Sequence, residues 1–307
     1  MLKMNRILLP TDFSPLADMA LDYALELAGK HGASLYLLHA VVLHADDPND
    51  PAHHFPDAEQ IRCRLEQTAE DRMANRLAVR EVPDVEVIRV QRRGISTAPV
   101  ILEYAGENDI DLIVMSTHGR RGLSHVLLGS VTEEVVRLSP CPVLTIRGRT
   151  PDLPAVAPRV VLVPVDFSEH SVRAVSYAKD ICSVYGAEMH LVHVFERPVH
   201  PEIYVWGSPI EFPGFASLQG SLREALEKIA REAPGPDVPV TLHVLEGRAL
   251  SAILEVASEA EANLIVIATH GLSGVAHALL GSVTERVVRR AACPVLTVKA
   301  SGKSLLS

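Results

Sequence analysis

The chain has 307 residues, with 29 Lys and Arg against 38 Asp and Glu (29 − 38 = −9), 48% hydrophobic residues and 4% aromatics. This is far from the polar, highly charged composition of disordered chains, so substantial cores can be buried, and the length favours two domains of roughly 150 residues each. A net negative surface argues against nucleic acid as the main partner, because phosphate backbones need clustered Lys and Arg, although small anions can still be held locally.

Arg6–Pro10 reads as a first strand, bounded by Pro10, Thr11 and Asp12. Ser14 then offers a cap and Pro15 a first helical residue, which predicts a helix to about Gly32. Ser34–Val41 is the next strand. An amphipathic pattern from about Asp57 to Val82 predicts a long helix, followed by a strand at Val85–Gln91, a helix at Ser96–Asn108 and a strand at Leu112–Thr117. A helix over Ser130–Leu138 and a short strand at Pro142–Ile146 complete the set, and the order repeats from Arg159 to Val298. No apolar run approaches the roughly 18 residues of a membrane span, so no membrane partner is expected. The amino-terminal apolar run is short and lacks a small-residue cleavage site, so it is not read as a secretory signal. Cys63, Cys141, Cys182 and Cys293 form no CxxC or Cys/His metal spacing. A reducing cytoplasm fits.

The repetition is explicit. Ile7–Ser14 (ILLPTDFS) recurs as Val161–Ser168 (VLVPVDFS), and Leu127–Arg137 recurs as Leu279–Arg289 with one difference, Glu134 against Arg286. Pro10 to Pro164 and His39 to His193 are both offset by 154, whereas His118 to His270, Gly129 to Gly281 and Cys141 to Cys293 are offset by 152. A period this long marks duplication of a whole domain rather than a solenoid unit. The expected domains are residues 1–150 and 159–300, with a Pro-rich linker at 151–158 and a tail at 301–307. Near-continuous apolar strands alternating with helices imply a parallel sheet covered on both faces. The fold class is therefore α/β, two tandem doubly wound parallel-sheet domains.

Such sheets bind ligands beyond the carboxyl ends of their strands, where strand order reverses. Two loops qualify: Pro10–Phe13 after the first strand, and Ser116 through Ser130 after the fourth. Gly129 and Ser130 open a helix whose first N–H groups favour an anion, and the missing Cβ lets the backbone approach phosphate oxygens. In the plainer reading Ser130 only caps Thr132 or Glu133. Gly271, Gly281 and Ser282 repeat the pattern. Asp12 and Asp166 follow the first strands; with Ser14 and Ser168 better placed as caps, their carboxylates are left for another task such as ribose hydroxyls. GxGxxG and GxxxxGK[ST] are both absent at the expected places. His118 and His270 are acid/base or phosphate candidates, or residues that only fix the turn. His39 and His193 at strand ends fit buried, hydrogen-bonded structural roles, and Cys141 and Cys293 read as small buried apolar residues. No nucleophile–base arrangement is indicated.

PTDFS and PVDFS, LLHA and LVHV, STHG and ATHG, LLGSVTE twice, and CPVLTIR and CPVLTVK together make the chain resemble tandem members of the universal stress protein family over nearly its whole length. The resemblance implies a Rossmann-like five-stranded sheet of order 3-2-1-4-5 in each copy and adenine-nucleotide binding (ATP, or AMP/ADP, with room for Mg2+) through a Gly-x2-Gly-x9-Gly-Ser/Thr loop. It also implies dimerisation through the last strands, here an internal pseudo-dimer or a homodimer. Carried onto this chain, the adenine and ribose contacts fall at Pro10, Asp12 and Ala40, and at Pro164, Asp166 and Val194. The phosphate contacts fall at Gly119, Gly129, Ser130 and Val131, and at Gly271, Gly281, Ser282 and Val283. The motif's first glycine is replaced by Ser116 and Ala268. Arg120 and Arg121 lie inside the first loop where the second has Leu272 and Ser273, and Phe195–Phe215 with Trp206 is a stretch particular to the second copy. The implied function is a cytoplasmic stress-response module whose nucleotide state adjusts conformation or partner binding. A slow ATP hydrolase and a scaffold without nucleotide are the alternatives, and no dedicated enzyme is expected.

Overall fold

The computed structural model describes residues 3–42, 58–80, 84–117, 128–147, 157–196, 215–269, 280–299 and 303–305. They form two compact units, one of Lys3–Val156 together with Ser301–Leu305, the other of Ala157–Ala300.

In the first unit the order along the chain is β1 (Arg6–Pro10), α1 (Pro15–His31), β2 (Ser34–Val42), α2 (Ala58–Ala78), β3 (Val87–Gly94), α3 (Thr97–Glu107), β4 (Leu112–Ser116), α4 (Ser130–Leu138) and β5 (Val143–Ile146). The strands are parallel in the order β3-β2-β1-β4-β5. Ile7, Leu8 and Leu9 of β1 are fully buried, as expected for a strand covered on both faces, which is why β1 reads as an unbroken apolar run. α1 starts where Ser14 Oγ accepts the Ala17 N–H at 3.2 Å with Pro15 at the first helical position, and it stops at Gly32, whose φ of 65° suits a residue without Cβ.

The second unit repeats this with β6 (Val160–Pro164), α5 (Glu169–Tyr185), β7 (Glu188–Phe195), α6 (Phe215–Glu232), β8 (Val240–Glu246), α7 (Ala249–Glu259), β9 (Leu264–Ala268), α8 (Ser282–Arg290) and β10 (Val295–Val298). Its parallel strands run β8-β7-β6-β9-β10. The registers locate the two lost residues. Tyr36 pairs with Ile88 and His190 with Thr241, so the offset is 154 at β7 but 241 − 88 = 153 at β8, and it reaches 264 − 112 = 152 at β9.

Two expected boundaries are corrected. α2 ends at Ala78 rather than continuing to about Val82, and β3 spans Val87–Gly94 rather than Val85–Gln91. The ladder with the long β2 carries β3 past its apolar part through Val41↔Arg93 and Val42↔Gly94. Its charged residues are matched by the flanking helices, with Arg89 on Glu70 of α2 at 2.9 Å, Arg93 on Glu66 of α2 at 2.6 Å and Arg92 on Glu107 of α3 at 3.1 Å. Periodicity alone does not see that partnership.

Cys141, Cys182 and Cys293 are buried, and burial pushes the Cys182 and Cys293 thiols up to about 12, which keeps them protonated and inert. The tail residue Lys303 reaches the first unit: its N–H donates to Pro140 O at 2.8 Å and its ammonium lies 2.8 Å from Asp109 Oδ1 and 2.7 Å from Asp111 Oδ1. Leu305 is buried, and its carbonyl accepts the Lys3 N–H at 2.8 Å.

Between β7 and β8, His243 Nε2 lies 3.1 Å from His190 Nδ1, with the rings stacked at 5.1 Å. Burial, and then the neighbouring His190, holds His243 below its ordinary 6.5. The unfolded chain therefore takes up this proton first as pH falls. The His243 contribution to stability is present above pH 6.5 and is lost as pH drops through the lowered folded value. The first unit has Tyr36 and Val90 at these positions (190 − 154 = 36; 243 − 153 = 90). His243→Val is expected to flatten the fall in melting temperature of the second unit between about pH 7.5 and about pH 5, the range in which histidine titrates, as followed by calorimetry.

Candidate functional site

β1 lies between β2 and β4, so the chain turns in opposite directions on leaving β1 and β4, and their carboxyl ends open side by side. After β1, the Thr11 N–H continues the ladder to Leu38 O at 2.8 Å, and the chain then turns sharply at Phe13, whose φ is 63°. A bulky residue in that conformation is strained by roughly 1–2 kcal/mol, so its surroundings must fix it. Thr11 Oγ1 accepts the Phe13 N–H at 3.1 Å, Asp12 Oδ1 accepts the Ser14 N–H at 3.0 Å, and His39 stacks on the Phe13 ring at 4.6 Å while its Nδ1 meets Thr11 O at 2.8 Å. The turn presents Asp12 just past the end of the strand, half-buried, two residues beyond Pro10, which is in register with Leu38 of β2.

The second unit builds a similar turn, with Val165 at the position where Thr11 supplies its hydroxyl in the first. Phe167 has φ 65°, Asp166 Oδ1 accepts from both the Ser168 N–H at 3.1 Å and the Ser168 hydroxyl at 2.5 Å, and His193 Nδ1 meets Val165 O at 2.8 Å. His39 and His193 are hydrogen-bonded at the turn, as their structural reading expects, but half-buried rather than buried. One oxygen of each of Asp12 and Asp166 accepts the amide of its own turn, so the turn itself aims the carboxylate. Pro164 and Val194 occupy the places of Pro10 and Ala40.

After β4, Gly129 is the residue before the first turn of α4, with φ −63° and no side-chain capping hydrogen bond. Ser130 is the first helical residue and is exposed, so the reading in which it caps Thr132 or Glu133 is corrected. The first helical bond runs from Glu133 N to Gly129 O at 2.9 Å, which leaves the N–H groups of Ser130, Val131 and Thr132 ahead of the intrahelical ladder. Gly281, Ser282 and Val283 repeat this at α8, with φ −58° at Gly281. Glycine is therefore not needed here for a left-handed backbone. At Gly281 a Cβ would sit 3.2 Å from Thr269 O, the carbonyl that accepts the Gly281 N–H at 2.8 Å. Close backbone approach is what the position requires.

The residues in place of the motif's first glycine join strand to helix. Ser116 O accepts the Thr132 hydroxyl at 3.0 Å, and Ala268 O accepts the Thr284 hydroxyl at 2.7 Å. Sequence reading missed Thr132 and Thr284; their signal is a buried threonine in the first turn of both helices. Gly119, Gly271, His118, His270, Arg120, Arg121, Leu272 and Ser273 lie outside the described residues, as do the linker positions 151–156 and most of Phe195–Phe215. Among the described residues no group of three or more His, Cys, Asp or Glu is placed to hold a metal, and no helix is long and apolar enough to cross a membrane.

The two units differ behind the turn. In the first, Arg76 of α2 donates to Phe13 O at 2.9 Å and to Asp18 Oδ1 at 2.7 Å, Arg76 and Arg72 lie over the Phe13 ring at 5.3 and 5.6 Å, and Arg80 pairs with Asp22 at 2.6 Å. In the second, a cavity of about 470 Å³ is lined by Phe167, Val172, Ala225, Ile229 and Ala233, with Lys228 and Glu232 also on its walls.

The family model described as the universal stress protein family matches residues 3–147 and 158–299. A universal stress protein of Mycobacterium tuberculosis is 28% identical over 97% of this chain and 98% of its own, and one of Methanocaldococcus jannaschii is 36% identical over 45% of this chain and 81% of its own. The crystal structure of a universal stress protein from Archaeoglobus fulgidus superposes with a TM-score of 0.62 at 24% identity, covering 96% of both chains, a likeness of fold. A tandem pair of doubly wound domains, each matched along nearly all its length, defines the class. The chain belongs to the universal stress protein family.

Proposed function

We propose that each copy binds an adenine nucleotide, ATP or its AMP/ADP products, at the carboxyl end of its sheet, and that nucleotide state adjusts conformation or partner binding in a cytoplasmic stress response. The observation that carries this reading is the pairing, in both units, of an uncapped helix amino terminus behind a glycine with an aspartate turn across the strand-order reversal. Backbone N–H groups and the helix dipole suit phosphate without net positive charge, which reconciles the site with an acidic chain. In this reading Gly129, Ser130 and Val131, with Gly281, Ser282 and Val283, hold phosphates, and Gly119 and Gly271 complete the loops. Pro10, Asp12 and Ala40, with Pro164, Asp166 and Val194, hold adenine and ribose, and Ser116 and Ala268 floor the loop. Mg2+ would arrive with the phosphates, as is usual for a cation that keeps most of its water. Tandem family segments support domains at 1–150 and 159–300 that form an internal pseudo-dimer.

Mass spectrometry of ligand released from denatured protein and calorimetric titration with ATP test the reading. The double variant Gly129→Val, Gly281→Val keeps backbone angles open to valine but crowds the Thr269 carbonyl at Gly281, so it is expected to lower the melting temperature and to weaken ATP binding at least about tenfold, or 1.4 kcal/mol, with far-ultraviolet dichroism showing the protein still folded at the temperature of the titration. No released nucleotide together with no ATP heat in the wild type defeats the reading; unchanged affinity in the variant moves the ligand elsewhere.

A further inference from the structure

The three arginines behind the Phe13 turn have no counterpart behind the Phe167 turn. With the offsets of 154 for α5 and 153 for α6, Asp18, Arg72, Arg76 and Arg80 correspond to Val172, Ala225, Ile229 and Ala233, and Phe13 to Phe167. These counterparts are the residues that line the cavity of about 470 Å³. Volume filled by stacked guanidinium groups in one copy is open in the other. Phe13 is correspondingly buried while Phe167 is partly exposed.

We infer that Arg76 is a positioning residue that holds the Asp12 turn of the first copy in its strained form, and that the two nucleotide sites are consequently unequal, the first preorganised and the second adaptable. The inference rests on the nucleotide reading above. Arg76 grips the turn in three ways at once: a hydrogen bond to Phe13 O, a face contact on the Phe13 ring, and an ion pair to Asp18 one turn into α1. Phe13 sits directly between Asp12 and Ser14, the carboxylate and the amide joined across the turn. A site whose carboxylate is already aimed loses less conformational freedom on binding, so the first copy binds more tightly for the same contacts. In the second copy Ile229 has neither a donor for the Phe167 carbonyl nor a charge for its ring, and the turn borders open space.

Hydrogen exchange and ATP titration on full-length protein test this separately. In ligand-free protein the Ser14 amide, held by Asp12, is expected to exchange about tenfold more slowly than the Ser168 amide, held by Asp166, and Arg76→Met is expected to remove the difference. In calorimetry the wild type is expected to show two classes of site about tenfold apart, with Arg76→Met converting the tighter class to the weaker and Arg76→Lys restoring only part of it. Arg80→Met is the structural control. It breaks the Arg80–Asp22 pair and the Arg80 bonds to the Arg76 and Asp18 carbonyls while leaving both Arg76 contacts to Phe13, so it is expected to lower the melting temperature and leave both affinities unchanged. Equal exchange at the two turns, or exchange and affinity unaltered by Arg76→Met, overturns the clamp while nucleotide binding stands. Absence of any ATP heat defeats the nucleotide reading and the unequal affinities with it.

Discussion

Asp111→Ala is expected to destabilise the first unit by about 3 kcal/mol, because two backbone donors lose their acceptor together and each unsatisfied group costs about 1–3 kcal/mol when buried. Asp111 is 5% exposed, and its Oδ2 accepts the Asn5 N–H at 2.7 Å and the Arg6 N–H at 2.9 Å, fixing the start of β1 beside the start of β4. The second unit shows what the position needs. There Asn263 Oδ1 accepts the Arg159 N–H at 2.9 Å and the Val160 N–H at 3.1 Å, so a neutral amide oxygen does the same work. Asp111→Asn is therefore expected to cost only about 1 kcal/mol, the worth of a partly exposed ion pair with Lys303. Urea denaturation with exchange at Asn5 and Arg6 separates the two variants. Equal losses in both would assign the stability to the ion pair rather than to the backbone bonds.

Ile265→Ala is expected to cost the second unit about 3–4 kcal/mol, and Ile265→Val about 1 kcal/mol. Ile265 is fully buried in β9, in register with Leu162 of β6 on one side and Val295 of β10 on the other. The neighbouring strands hold their spacing through the ladder, so little collapse can fill the space that alanine leaves. The shift of the denaturation midpoint of the second unit measures this. A valine variant as damaging as the alanine one would show that side-chain shape, not lost volume, governs the position.

Sequence carried the fold far because local signals and packing agree. Ser14-Pro15 starts α1 as capping chemistry requires, the uninterrupted apolar runs of β1 and β4 mark buried parallel strands, and the duplicated motifs placed both candidate sites. Legibility failed where a residue's role depends on a distant partner. The amphipathic pattern around Arg72 and Arg76 announces a helix and no role for either arginine; only the fold brings Arg76 onto Phe13 and Asp18. The second carboxylate role of Asp12, inside its own turn, is equally silent, because a capping aspartate and a binding aspartate look alike in one dimension. The plainer reading of Ser130, as a cap, fails for the opposite reason. Serine is a favoured cap, but here glycine occupies that position and serine the next.

The residues Lys303 and Leu305, which follow the second unit in the chain, pack with Lys3, Asp109, Asp111 and Pro140, so the first unit includes a piece of chain made after its neighbour. A ribosome releases Arg6–Ile146 early, yet the unit acquires this cation and this buried leucine only after the second unit has been made. Vectorial synthesis thus leaves the first unit waiting on the second, and a nascent chain that stops short of Lys303 exposes the Asp111 oxygen that the ammonium otherwise covers.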